Sequence, residues 1–357
     1  MNDAARSESV RAGGEATGVQ AGSGRLATTF LGSSGIEVGV QGLGCMGMSE
    51  FYGATDHAEA RATLDRALEL GVTLFDTADI YGSGHNEEFL SDFVRANREQ
   101  VVLATKFGIV RKADDPTYRG FDNSPEYIRA SVDASLRRLG VEVIDLYYMH
   151  RRDPAVPIEA TVGAMAELVQ AGKVRALGLS EVTGAELKAA TAVHPIAAVQ
   201  SEWSLFSRDV ERTAVPAAAE LGVTFVPYSP LGRGFLTGSF SAANEFGAGD
   251  FRTRMPRFTG DNAARNAALL APLHAIAEAR GVSAAQVALA WVHSRAEAHG
   301  LSVVPIPGTR KRTRLEENVA AAALELTADE LASLEPIAGQ VAGDRYADMS
   351  FTSAGRE

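Results

Sequence analysis

The chain has 357 residues, 46% of them hydrophobic and 22% charged, with a formal net charge of −11. That is ample apolar material for a packed core, and too acidic a balance to favour phosphate backbones or anionic lipid surfaces, so any anionic ligand must be met by a local basic cluster. The single cysteine, Cys45, can make no internal disulfide, which fits a reducing, cytoplasmic setting and a small buried filler.

In chain order, residues 1–25 are rich in Ala, Gly, Ser and charge, lack both periodicity and an apolar run fit for a signal peptide, and are expected to form a mobile tail. No later stretch offers about 18 uninterrupted apolar residues, so a soluble protein without a membrane partner is expected. The runs ATTFLG and IEVGVQ, turning about Ser33, Ser34 and Gly35, predict a β-hairpin ahead of the main body. From residue 40 onward, short apolar runs alternate with amphipathic segments. The runs are 40–46, 71–78, 101–108, 143–150, 173–180, 196–203, 222–229 and 301–308. Each has the length of a strand buried on both faces and lacks polar/apolar alternation.

Helical punctuation fills the gaps. In SPEYIRASVDASLRRLG, Ser124 suits an N-cap and Pro125 the first helical position; Ile128, Val132, Leu136 and Leu139 share a face, and Gly140 suits the position after the end. HAEARATLDRALELG and PIEATVGAMAELVQAGK repeat the pattern, closing at Gly71 and Gly172. Eight strands alternating with helices leave a closed (β/α)8 TIM barrel or a doubly wound open sheet. Strand count favours the barrel, and GLGCMG near residue 42 lacks the glycine spacing and following helix of a dinucleotide-binding sheet. One catalytic domain over 26–340 is expected. The stretch 237–262 predicts an extended loop after the seventh strand, used as a lid or for binding, and 341–357 a C-terminal tail or a loop over the barrel mouth.

Barrel enzymes place their chemistry at the carboxyl ends of the strands. There stand Asp76, Lys106, His150, Ser180, Gln200 and Tyr228, with Tyr81 on the loop after Asp76. Singly, Asp76 reads as a helix cap, Lys106 as a salt-bridge partner, His150 as a hydrogen-bonded loop residue and Tyr81 as a surface aromatic. Together they place an acid, a phenol, an amine and an imidazole at one end of one barrel. A phenol, with its pKa near ~10, donates a proton poorly at neutral pH unless a cation stabilises the phenolate. Lys106 could supply that cation, Asp76 could keep it charged, and His150 could orient a carbonyl oxygen, which is a relay suited to carbonyl reduction.

The stretches FDTADIYGSGHNEEFL, LATKFG, IDLYYMHR, VRALGLSE and PIPGTRKRTRLEEN resemble the aldo-keto reductase superfamily in order, from about Leu31 to Leu326, and GLGCMGMSEFYG and YSPLGRGFLTG resemble its bacterial and plant branch. The resemblance implies a catalytic tetrad of Asp76, Tyr81, Lys106 and His150, with Tyr81 as general acid. It also implies NADPH stretched across the barrel mouth. Ser180 and Gln200 would hold the nicotinamide carboxamide, Tyr228 would stack on the ring, and Ser229, Leu231, Gly232 and Arg233 would meet the pyrophosphate. The basic run Arg310, Lys311, Arg312 and Arg314 opens a helix in an acidic protein, which suits a phosphate. The resemblance places Thr309, Arg310 and Arg314 at the 2′-phosphate, with Glu317 and Asn318 near the adenine, and counts Gly308 among the cofactor-binding positions.

Two positions depart from the pattern. Glu181 stands where many relatives have Asn beside the nicotinamide, and Gly308 where many have Lys, shifting phosphate recognition to Arg310 and Lys311. The implied activity is NADPH-dependent reduction of aldehydes, and of ketones, to alcohols. A nucleotide-sensing regulatory subunit of the same fold is the alternative. A hydrolytic barrel is disfavoured by the lack of a second carboxylate, and no metal is expected because the histidines show no ligand spacing. Phe51, Tyr52, Phe107 and Trp203 are candidates to line the pocket for a small-molecule carbonyl substrate, though each reads first as at least partly core.

Overall fold

Strand β1 (Thr28–Phe30) pairs antiparallel with β2 (Glu37–Gly39), and this hairpin seals the floor of a barrel. The computed structural model describes residues 24–49, 53, 55–112, 115–238, 246 and 250–357. The expected tail therefore lies outside the described residues except for Gly24 and Arg25, as do Phe51, Tyr52 and residues 239–245 and 247–249 of the loop expected at 237–262. Leu31, Ile36 and Val38 of the hairpin pack onto the inward side chains of the barrel strands. The turn fits closely: Gly32 has φ +52°, and a Cβ there would come within 2.8 Å of the Ala197 carbonyl oxygen, a position only glycine tolerates without strain.

The barrel follows in βα units: β3 (Leu43–Gly44) and α1 (His57–Glu69), β4 (Leu74–Asp76) and α2 (His85–Ala96), then β5 (Val102–Phe107). Between β5 and α3 (Pro125–Leu139) lies an antiparallel hairpin, β6 (Ile109–Lys112) with β7 (Asp115–Phe121), that hydrophobic periodicity does not reveal. The series continues with β8 (Ile144–Met149) and α4 (Ile158–Gln170), β9 (Val174–Ser180) and α5 (Gly184–Val193), β10 (Ile196–Glu202) and α6 (Ala214–Leu221), and β11 (Thr224–Tyr228). After β11 come α7 (Gly260–Ala268), α8 (Ala271–Arg280) and α9 (Ala284–His299), and the chain ends past α10 (Arg312–Ala320) and α11 (Ala328–Leu334).

Among the described residues, seven parallel strands run in the order β11, β10, β9, β8, β5, β4, β3. The eighth apolar run closes the ring without forming a regular strand. It makes single parallel bridges to β11 at Phe225 and Val303 and to β3 at Gly44 and Gly308. The backbone N–H groups of Val304 and Ile306 donate to the Phe225 and Pro227 carbonyls, and Gly42 donates to the Pro305 carbonyl. Pro305 and Pro307 have no N–H to offer the β3 side, so that side of the ladder is thin. The result is a nearly closed (β/α)8 barrel of the TIM type.

The helix signals read from sequence sit where their chemistry requires. The Ser124 side chain accepts from the Tyr127 N–H and Gly140 adopts φ +67° beyond α3, while Gly71 and Gly172 take φ +86° and +74°. No helix of the described residues is long and apolar enough to cross a membrane.

Side-chain alternation sets up the site. Leu74, Val102 with Ala104, Leu146 with Tyr148, Ala176, Ala198 and Val226 form the inward layers of the barrel, whereas Phe75 and Leu103 pack outward under the helices. Counting two residues on from the last apolar inward position of each strand, with Gly178 bridging the gap on β9, gives Asp76, Lys106, His150, Ser180, Gln200 and Tyr228. The polar residues are therefore the top layer of the same register that builds the core.

Candidate active site

The top layer converges. The Lys106 ammonium is wholly buried, donates to the Asp76 carboxylate, and donates to the Thr77 carbonyl at 2.8 Å. The other Asp76 oxygen accepts from the Gln200 side-chain amide at 2.8 Å. Lys106 Nζ lies 5.2 Å from the centre of the Tyr81 ring. The Tyr81 and His150 rings meet edge to face with centroids 5.8 Å apart. The structure thus brings Asp76, Tyr81, Lys106 and His150 into one cluster. A tight turn aims Tyr81: Gly82, Ser83 and Gly84 that follow it all have positive φ, of 57°, 56° and 99°. Ser83 holds a left-handed conformation uncommon for a residue with a side chain.

Burial governs the protonation of this cluster. It pushes the Tyr81 phenol well above its ordinary pKa, Asp76 adding to the push and Arg151 opposing it, so the phenol keeps its proton. It also pulls the Lys106 ammonium below its usual value, against the opposing pull of Asp76. The His150 imidazole is driven well below its usual value, by burial first and then by Arg151 and Lys106, and is neutral. Its Nδ1 is buried without a hydrogen-bond partner among the described residues. The tautomer that avoids an unpaired N–H there carries its proton on Nε2, which makes that nitrogen the donor for a carbonyl oxygen.

Ser180 and Gln200 stand side by side in the β9–β10 register, and Tyr228 is half-buried at the end of β11. Two adjacent polar strand ends beside an aromatic face suit a flat, amide-bearing ring, so these residues fit the nicotinamide end of a dinucleotide. Glu181 does not join them. Its carboxylate is wholly buried and accepts from Arg345 at 2.8 and 3.2 Å, from the Tyr228 hydroxyl at 2.7 Å and from the Ser353 N–H at 3.0 Å. Burial raises its pKa, but Arg345, Arg151 and Tyr228 outweigh that and hold it below the usual carboxylate range. The C-terminal residues are thereby clasped over the mouth. Arg345 also pairs with Asp209 at 3.0 Å, Arg356 donates to the Glu181 carbonyl at 2.6 Å and to Glu186 at 2.9 Å, and Tyr346 stacks edge to face on Phe351 with centroids 4.9 Å apart.

The loop after β11 departs from expectation at Arg233. Its guanidinium is buried against Glu202 at 2.6 Å and lies 4.7 Å from the Tyr346 ring centre. Neutralising a buried carboxylate holds it more firmly than a solvent-facing anion would, so what the loop offers an anion is backbone, around Ser229, Leu231 and Gly232. Ser229 and Gly232 both have positive φ.

At the other end, Gly308 comes so close to β3 that a Cβ would lie 3.1 Å from the Gly44 carbonyl oxygen. Thr309, Arg310, Lys311 and Arg314 surround the start of α10, where N–H groups and cations fit a phosphate. Arg310 donates to the carbonyls of Gly47 and Gly53 and to the Thr55 hydroxyl, and Arg312 pairs with Glu59 at 2.9 Å. Lys311 is exposed, Glu317 is half-exposed near Arg314 at 4.0 Å, and Asn318 is buried one turn further on.

Two of the pocket candidates are core residues. Phe107 is fully buried and stacks on Tyr147, because its inward neighbour Lys106 leaves it facing the helices; Trp203 is fully buried against Phe225 and His299, its indole N–H donating to Glu211 at 2.9 Å. Residues that hydrophobic pattern missed take their place: Arg151, Tyr346 and Phe351. Arg151 had a signal, as the residue following a strand-end histidine; the C-terminal aromatics had none, since their segment has no period. A cleft of about 670 Å³ lined by Arg95, Arg98, Thr73 and Arg175 lies at the floor of the barrel and contains none of these groups.

The family model of the Aldo/keto reductase family matches residues 42–338. Among solved structures, the chain is similar to the glycerol dehydrogenase from Gluconobacter oxydans, at 28% identity over 90% of this chain and 98% of that one with a TM-score of 0.75. It is similar to an aldo-keto reductase from Bacillus halodurans in its holo form, at 28% identity over 90% and 99% of the two chains and a TM-score of 0.69. A third likeness is to a thermostable aldo-keto reductase solved with the inhibitor epalrestat, at 27% identity over 87% and 100% with a TM-score of 0.68.

Proposed function

The chain belongs to the aldo/keto reductase family, and on that premise we propose that it reduces aldehydes, and ketones more slowly, to alcohols with NADPH, in the cytoplasm. The observation that carries this reading is the buried contact of Lys106 with Asp76 beneath the Tyr81 ring, with neutral His150 at its edge. A reduced nicotinamide nucleotide, when bound, supplies the hydride that adds to the carbonyl carbon. The chain does the rest. His150 Nε2 donates to the carbonyl oxygen and fixes its position. Tyr81 gives its proton to that oxygen as negative charge develops there, and the Lys106 cation, anchored by Asp76, stabilises the phenolate left behind. Ser180, Gln200 and Tyr228 would hold the nicotinamide end, and Thr309, Arg310, Lys311 and Arg314 the 2′-phosphate, with Glu317 and Asn318 beside the adenine. The test is loss of dihydronicotinamide absorbance by the purified protein with NADPH and a panel of aldehydes. Tight NADPH binding without any turnover would favour a nucleotide-sensing role instead.

The basic cluster makes the cofactor preference measurable. Arg310→Ala raises KM for NADPH by about tenfold, the worth of one charge-assisted contact, and changes KM for NADH much less. Equal effects on the two nucleotides would mean that Arg310 matters only for the loop it holds.

The buried groups set the pH profile. His150 must be neutral to donate from Nε2 without repelling Lys106, and its lowered pKa keeps it so well below the usual histidine range. Tyr81 must be protonated, and its raised pKa keeps it so through neutrality. Reductive kcat/KM is therefore expected to be flat across the ~6.5 at which a free histidine titrates. Alcohol oxidation, which needs the phenolate, rises toward alkaline pH. A reductive profile with a limb near the ordinary histidine value would remove His150 from the assigned role.

A further inference from the structure

Six cations are buried among the described residues: Lys106, Arg151, Arg152, Arg233, Arg295 and Arg345. Five of them have a carboxylate within ion-pair distance: Asp76, Glu186, Glu202, Glu335 and Glu181 respectively. Arg151 is the exception. It donates from one terminal nitrogen to the His150 carbonyl at 2.8 Å and to the Ser180 hydroxyl at 3.2 Å, both neutral acceptors. The fields of Tyr228, Tyr346 and Glu181 favour its charge, but the Glu181 carboxylate itself is committed to Arg345, Tyr228 and Ser353. A buried guanidinium that touches no carboxylate directly keeps the capacity to take one in a two-point contact.

The location says what that partner would be. Arg151 follows His150 directly in the chain, and its guanidinium lies 5.8 Å from both the Tyr228 and the Phe351 ring centres. These two rings hold the planar group at the mouth and limit its orientations. The Arg151 charge acts on both the Tyr81 phenol and the His150 imidazole, so a molecule whose carbonyl oxygen meets those two groups has a fixed cation beside it. The remaining nitrogens of that cation make no hydrogen bond to another described residue. A guanidinium takes a carboxylate in a two-point contact. The long-range field of an acidic chain disfavours anions, so a buried cation beside the reacting group acts as a selective local exception.

We propose that Arg151 anchors a carboxylate on the substrate, so that the preferred substrates are oxo-acids, carbonyl compounds carrying a carboxylate a few bonds from the reacting carbon. This rests on the reductase reading above. The carboxylate is unchanged by the reaction: the carbonyl carbon gains the hydride of NADPH, its oxygen gains the Tyr81 proton, and NADP⁺ and the hydroxy-acid leave.

The test compares matched pairs, succinic semialdehyde with butanal and carboxybenzaldehyde with its methyl ester, in the wild type, Arg151→Gln and Arg151→Lys. The wild type is expected to favour each acid over its neutral partner by about 10- to 100-fold in kcat/KM, the worth of a charged hydrogen-bonded contact. Arg151→Gln brings that ratio close to one, and Arg151→Lys retains part of it. A wild type that uses ester and acid equally overturns the proposal, whether or not the variants fold. So does an Arg151→Gln that slows both members of a pair by the same factor, which would make Arg151 a cofactor or electrostatic group. If the wild type turns over no carbonyl at all, the reductase reading fails separately. Calorimetric titration of benzoate into the protein with NADP⁺ then decides Arg151: binding that Arg151→Gln abolishes supports it, and no binding to the wild type overturns it.

Discussion

Tyr81→Phe lowers kcat for aldehyde reduction by about 10²- to 10⁴-fold, the span that a positioned general acid contributes. The ring remains, so its packing against His150 and its place over Lys106 are preserved, and the protein keeps its fold and its affinity for NADPH. The loss should fall on kcat and on kcat/KM together, because the proton is transferred only in the transition state. Stopped-flow turnover with nucleotide-fluorescence titration separates chemistry from binding. A variant that keeps more than about a hundredth of wild-type kcat, the lower limit of a general-acid effect, would move the proton donor elsewhere. Lys106→Met probes the same relay from the other side. It removes the cation that stabilises the phenolate and leaves Asp76 buried with Gln200 as its remaining side-chain donor.

Arg345→Ala is the largest expected effect on stability. Arg345 is 1% exposed and joins Glu181 and Asp209, so its loss leaves a buried carboxylate short of its main counter-ion. Breaking a buried pair in this way costs about 3–5 kcal/mol. Equilibrium denaturation should show that loss at neutral pH, along with proteolytic sensitivity beyond residue 340. The pH dependence carries the sign. Glu181 in the folded protein has a lowered pKa, so the pair's contribution is fully present above the unfolded glutamate value of ~4.3 and fades as pH falls through the folded value. The gap between wild type and variant should therefore narrow in acid. A gap that is constant with pH would mean that Arg345 acts through packing alone.

Much of the barrel was legible because one physical rule writes both its core and its site. A strand buried on both faces must be apolar until it reaches the mouth, so the first polar inward residue on each strand announces itself, as Asp76, Lys106 and His150 do. Helix ends were legible at Ser124 and Gly140 because capping needs particular side chains and a positive φ. The hairpin of β6 and β7 was hidden because its strands, IVRK and DPTYRGF, are short and show no polar/apolar alternation. Phe107 and Trp203 left pocket and core both open because an aromatic near a strand end faces one or the other according to one step of register, and composition does not reveal that step. The clasp over the mouth was hidden for a different reason. Glu181 showed only as a departure from a family pattern, and its partner Arg345 lies more than a hundred and sixty residues away in a segment without periodicity. Arg233 misled because a guanidinium in a glycine-rich loop looks ready for an anion until Glu202 is seen beneath it.

The thin seam at Pro305 and Pro307 bears on the order in which the molecule assembles. Neighbouring strands from β3 to β11 can zip together as an open, curling sheet, each pairing with a segment close to it in the chain. Joining the last run to β3 must instead bring together the two most sequence-distant segments of the ring. Loop closure is slowest for such pairings, and here it gains few backbone hydrogen bonds when it occurs. Chain entropy and proline chemistry thus select the same place for the final step. The ring is expected to close last, and on unfolding to open first, where it is stitched least.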